Sequence, residues 1–165
     1  MNVIIDRCPF HDRETSVETL SGPMPVRAYQ LIVWAGISFE GDLSQPFLVV
    51  LDTGHSHNFS IREELLREWA GCEPGAMRRV GTIRVNERLV ILRQAELALY
   101  PNVPGSRDEL HGEPRALEMS QGIVIARQQD PFATRLPTLG MRALARNRLQ
   151  LVVDGKAMMA SITGE

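Results

Sequence analysis

The chain has little of what small scaffolds, membrane proteins and nucleic-acid binders depend on. Two cysteines, Cys8 and Cys72, in 165 residues are too few for a disulfide framework and suit a reduced, cytoplasmic setting. The longest apolar stretch, Leu31 to Phe39, contains Gly36 and Ser38 and falls well short of the ~20 residues a membrane helix needs, so no membrane partner is expected. Asp6 and Arg7 interrupt what would have to be the apolar part of a signal peptide. No charge of one sign dominates: the formal net charge is -2, acids and bases are interspersed, and Lys156 is the single lysine. That pattern gives no electrostatic footprint for nucleic acid. Repeats, heptads and low-complexity segments are absent as well.

What is present is an ordinary globular composition, 44% hydrophobic and 23% charged. At this length one domain buries about two thirds of its unfolded surface, enough to hold a core without metal or cross-links. The sequence divides into a polar N-terminal extension, residues 1–24, and a single domain over 25–165. Within the domain, Val26 to Ser38 is rich in β-branched and aromatic residues, and Gly41, Asp42, Ser44 and Pro46 supply a turn. The return strand, Phe47 to Leu51, is apolar without interruption, which predicts burial on both faces.

The segment "SIREELLREWAG" predicts a helix, with Ser60 and Glu63 at capping-box spacing and Gly71 as its stop. Ile61, Leu65, Leu66 and Trp69 form its apolar face. Arg79 to Leu92 reads as a hairpin turning at Asn86 and Glu87, and further strands are expected over Ala95–Tyr100, Gly122–Ala126 and Leu149–Gly155. Pro101 to Pro114 is a long loop of turn-forming residues, of the kind that is either functional or mobile. Short strands with few helices predict an all-β fold carrying one or two short helices.

Chemistry concentrates where the buried strand ends, at Asp52, Thr53 and Gly54. A carboxylate delivered by an apolar strand needs hydrogen-bond donors or a shared proton, so Asp52 is either the cap of a turn or part of an active site. His55 and His57 follow within reach of it; a metal would need three or four ligands, and no further His or Cys cluster is placed beside them. Cys8 with His11 amounts to no more than half a metal site. Arg142, Arg146 and Arg148 are expected on the solvated face of a short helix, and Met158 and Met159 in the core or at an interface.

The segment "FLVVLDTGHSHNFSI" resembles the active-site segment of aspartic proteases, and "LPTLGMRALARNRLQLVVDGKAMMASI" resembles their later apolar-apolar-Gly, helix and closing-strand segment, in the same order. The match is to the single-lobed, retropepsin-like branch that includes retroviral proteases and bacterial relatives. It implies a closed β-barrel in which the strand before Asp52 and the strand leading to Leu139 and Gly140 interlace beneath the site, followed by a helix. It also implies an aspartic endopeptidase active only as a homodimer, because the chain has one Asp-Thr-Gly.

On that resemblance Asp52 is catalytic, Thr53 ties the two active-site loops together, and Gly54, with Leu139 and Gly140, supports them. Val85, Asn86, Glu87 and Arg88 occupy the place of the flap over a polypeptide substrate, though without the glycines common in flaps. His55 stands where the family often has Ala or Ser and is a candidate modulator of the aspartate pair. No metal or organic cofactor is implied. The alternative is a catalytically silent dimer of the same fold that binds peptide or protein, with Asp52 as a structural cap.

Overall fold

A computed structural model describes residues 1–85, 87–131 and 133–165. The fold is mostly β, with two α-helices among the described residues, as the spacing of short apolar runs predicts. Its centre is β4 (Leu31–Phe39) paired antiparallel with β6 (Phe47–Asp52), joined through the short β5 (Asp42–Leu43). Phe47 to Leu51 are all buried, so β6 has no solvent face and its uninterrupted apolar run is explained. The strand expected from Val26 begins at Leu31 instead, and Val26 ends an earlier strand.

Three later strands build the site around β6. β7 (Phe59–Arg62), β12 (Ile123–Ala126) and β13 (Thr138–Gly140) extend the sheet, with β13 lying between β6 and β7. It runs parallel to β6, pairing Leu139 with Leu51 and Gly140 with Asp52, and antiparallel to β7. β7 in turn runs parallel to β12. Parallel neighbours this short need long connections, and here the chain between β7 and β13 supplies the rest of the sheet. That chain includes the hairpin β8 (Arg79–Val85) and β9 (Arg88–Arg93), then β10 (Glu96–Tyr100) and β11 (Arg115–Leu117). The ten-stranded sheet ends on β11 at one side and β8 at the other.

The first helix, α1 (Glu63–Ala70), buries Leu65, Leu66 and Trp69 against the core and stops at Gly71 in the left-handed conformation, φ 66°, whose N–H caps the Arg67 carbonyl. Its start differs from the expected capping box. Arg62 is the N-cap, and Ser60 and Ile61 lie in β7, where Ser60 turns its hydroxyl to His55. The sheet needs these residues extended, and that pairing outweighs a cap. The second helix, α2 (Met141–Arg146), follows Gly140 directly, with Ala143 and Leu144 buried and Arg142 and Arg146 exposed.

Residues 1–24, set apart by sequence as a polar extension, contribute strands to the packed structure. β1 (Asn2–Pro9), β15 (Met159–Gly164) and β14 (Gln150–Asp154) form a three-stranded sheet with β15 in the middle. β2 (Thr15–Thr19) pairs with β3 (Gly22–Val26). Ile4, Ile5, Cys8 and Val17 join the core formed by β4 and β6. The 101–114 loop is pinned as well: Asn102 is buried and holds Asp6 through both its amide oxygen, 2.7 Å, and its amide nitrogen, 2.8 Å, while Arg107 reaches Thr15.

Candidate active site

Asp52 sits at the exposed end of a strand whose other residues are buried. Its Oδ1 accepts the Gly54 N–H at 2.9 Å, and the His55 N–H donates to its carbonyl at 3.1 Å, closing a tight turn. Among the described residues the carboxylate has one backbone donor, and it remains open to solvent. A turn cap requires that contact, and so does a carboxylate presented in a fixed orientation.

The two glycines expected to support the site carry different loads. A Cβ on Gly54 would stand 3.2 Å from Asp52 Oδ1, tight against the carboxylate itself. A Cβ on Gly140 would run into the carbonyl oxygens of His55 and His57. Close approach is what lets the Gly140 N–H donate to Asn58 O at 3.0 Å and the Met141 N–H to His55 O at 3.2 Å. With Leu139 fully buried beside it, Gly140 locks the loop that follows Asp52 onto the end of β13. Thr53 is exposed at the outer edge of this loop.

His55 and His57 do not extend as a strand; the loop turns so that their rings meet edge to face, centroids 5.5 Å apart. His55 Nε2 contacts Ser60 Oγ at 2.8 Å. Burial lowers the proton affinity of both imidazoles; for His55 the neighbouring His57 adds to the effect and Asp52 opposes it, and for His57 Arg142 adds to it. Both rings are thus biased toward the neutral form. Among the described residues no three His, Cys, Asp or Glu side chains converge to hold a metal. Cys8 and Cys72 are free and buried; Cys8 Sγ donates to Ile32 O within the core, remote in role from His11.

Three concavities surround this turn. One is lined by His55, His57 and Ser60 together with Val85 and Arg88 of the β8–β9 hairpin and by Asp130. Arg88 and Asp130 close it with an ion pair of 2.8 Å. The segment carrying Asp130 is held from the other side by Arg62, which donates to the Ala133 and Thr134 carbonyls at 3.0 Å each. A second concavity places Asp52 with Arg27, Gln30, Arg135 and Thr138. A third is apolar, running from Asp52 and Thr53 along Phe10, Tyr29, Leu31, Leu51, Leu151 and Val153. None of the residues lining these three comes from the 101–118 segment, which Asn102 and Arg107 tie to the N-terminal strands.

Sequence reasoning brings Asp52, Thr53, Gly54, His55, Leu139 and Gly140 to one place, and the structure has them there. Val85 and Arg88 line the hairpin cavity and Glu87 is exposed at its turn, in the left-handed region at φ 64°; Asn86 lies outside the described residues. Ser60, Asp130, Arg27 and Arg135 escaped sequence reasoning. Only Ser60 had a local signal, since Phe-Ser-Ile reads equally as strand; the other three arrive through contacts distant in sequence. No helix among the described residues is long and apolar enough to cross a membrane. No family model, curated protein or solved structure matches the chain.

Proposed function

We propose that the chain is an aspartic endopeptidase of the retropepsin-like type, working in the cytoplasm as a homodimer in which Asp52 of each copy forms one half of the catalytic pair. On this reading the sheet is the closed barrel of a single-lobed aspartic protease, and polypeptide lies between the Asp52 turns and the β8–β9 hairpin. The observation that carries the proposal is the registration of Gly140 opposite Asp52, with β13 threaded between β6 and β7 and α2 leaving directly from Gly140. A turn cap alone has no need of a second glycine wedged under the loop that follows it.

The chemistry follows from two carboxylates held together. They cannot both ionise, so the pair shares one proton, the behaviour on which aspartic proteases in general rely. The ionised member takes a proton from a bound water as its oxygen attacks the peptide carbonyl, and the protonated member donates to the carbonyl oxygen. Collapse of the tetrahedral intermediate reforms the carbonyl, breaks the C–N bond and protonates the departing amine. Exposure of Asp52 in a single copy fits this scheme, since its burial awaits the partner and the substrate.

One observation favours the alternative of a binding dimer without catalysis: the Arg88–Asp130 pair holds the hairpin down over a cavity already furnished with two imidazoles. Peptide-library cleavage from acid to neutral pH, comparing wild type with Asp52→Asn, separates the two. Cleavage by wild type alone supports the endopeptidase; a folded dimer inert at every pH leaves the binding module.

A further inference from the structure

Arg62, Arg88 and Arg93 are committed to partners within the chain: Arg62 donates to the Ala133 and Thr134 carbonyls, Arg88 pairs with Asp130, and Arg93 donates to Met77 O. Arg27 and Arg135 are not. Both are exposed, and among the described residues neither has a carboxylate within ion-pair distance. Arg135 gives one nitrogen to Pro25 O at 2.7 Å, which ties its segment to the chain just before Arg27. Arg27 sits in a turn that Gln30 closes twice, its Oε1 accepting the Arg27 N–H at 2.9 Å and its N–H donating to Arg27 O at 3.3 Å. The Gln30 side chain thereby keeps its amide N–H groups as further donors.

Arg27, Gln30 and Arg135 line the same concavity as Asp52, with a volume of about 340 Å³. Val50, Leu136 and Thr138 line it too and are buried, and Thr138 spends its hydroxyl on Leu136 O at 3.0 Å. The donors available to a ligand therefore come from the two guanidinium groups and the Gln30 amide. A guanidinium stays charged at every pH the protein meets and matches a carboxylate with paired N–H donors. Against these two positive charges the lining holds one carboxylate, Asp52, and a pair of such aspartates sharing a proton carries less than one negative charge per copy. The net field therefore favours an anion, and a cationic side chain is repelled.

We infer that Arg27 and Arg135, with Gln30, form a carboxylate-binding pocket that selects polypeptides carrying Asp or Glu next to the bond to be cut. The position of that acidic residue rests on the endopeptidase reading, because Asp52 lines the pocket and so sets its distance from the reacting bond; capture of the carboxylate depends on the two arginines alone. In a homodimer the pocket occurs twice, once on each side of the cut.

Three randomised peptide libraries that differ only in one fixed central residue, Glu, Gln or Lys, and carry no other charged group test it on wild type and on the Arg27→Gln, Arg135→Gln double variant. The readout is the Glu-to-Gln ratio of kcat/KM within each protein, which a loss of folded material leaves unchanged. Wild type should favour the Glu library by at least about fivefold, with Lys last, and the double variant should bring the ratio close to one. Raising salt from about 0.05 M to about 0.5 M should shrink the wild-type ratio, a reading that needs no variant. Equal rates on the Glu and Gln libraries, a preference that survives in the double variant, or one indifferent to salt overturns the inference and leaves the endopeptidase standing. If wild type cleaves nothing, fluorescence anisotropy of the labelled libraries decides. Glu peptides held by wild type and released by the double variant keep the carboxylate pocket and sink the endopeptidase, whereas binding without a Glu preference, or no binding, sinks both.

Discussion

Gly140→Ala is the substitution whose effect the packing determines most directly. The added methyl has nowhere to go, since the carbonyl oxygens of His55 and His57 occupy its position, and both belong to backbone. Either β13 slides away from β6 or the 55–58 loop lifts. Both responses weaken the Gly140 N–H to Asn58 O and Met141 N–H to His55 O bonds, at about 1 kcal/mol each, and add about 1–3 kcal/mol for overpacking. The sum is roughly 3–5 kcal/mol, which in a domain of this size lowers the melting temperature by about 9–15 °C. Urea unfolding followed by tryptophan fluorescence gives the free energy, and Gly75→Ala serves as the control because a Cβ there meets nothing within 4 Å. If Gly140→Ala stays within about 0.5 kcal/mol of wild type, ordinary surface behaviour, then the wedge under the Asp52 turn does not exist.

Other consequences are open to simple measurement. Asp130, whose side chain is 13% exposed, pairs with Arg88, so Asp130→Asn should speed amide exchange through the hairpin strands β8 and β9 while changing global stability by no more than about 1 kcal/mol; unchanged exchange there contradicts the latch. Cys8 and Cys72 are 1% and 3% exposed, and burial pushes the Cys8 thiol up to about 12. Neither should react with a thiol reagent at neutral pH until the chain unfolds, and prompt labelling of the native protein refutes their place in the core. For His55 and His57 the folded state binds protons less readily than the unfolded chain, so stability rises with pH and is lost as pH falls through the unfolded value of 6.5. Unfolding free energies between pH 5 and 8 should fall more steeply on acidification in wild type than in the His55→Gln, His57→Gln double variant; identical slopes refute the burial of these rings.

Local signals carried what they could. The apolar run of Phe47–Leu51 announced a doubly buried strand, and Gly71 announced a left-handed helix stop, because each depends on residues within a few positions. Ser60 shows how a local signal fails: its spacing to Glu63 fits a cap, but pairing of β7 with β12 and β13 claims it for the sheet. The N-terminal strands were illegible for a different reason. β1 pairs with β15, at the far end of the chain, and its register breaks twice, so no periodicity in residues 2–9 points to a partner. The Asp52 turn is legible through a motif, whereas the groove beside it draws on residues from 10 to 160 and is visible only in three dimensions.

Everything in the proposed mechanism turns on one active site needing Asp52 from two copies. Mixing wild type with Asp52→Asn at fixed total protein, allowing the subunits to exchange, and measuring peptidase rate against composition tests it. If the copies pair at random and half a site is inactive, equal parts give about a quarter of the wild-type rate, following the square of the wild-type fraction. A rate of half, linear in wild-type fraction, means each chain works alone, and that result, like the absence of any cleavage by wild type, contradicts the shared-aspartate mechanism.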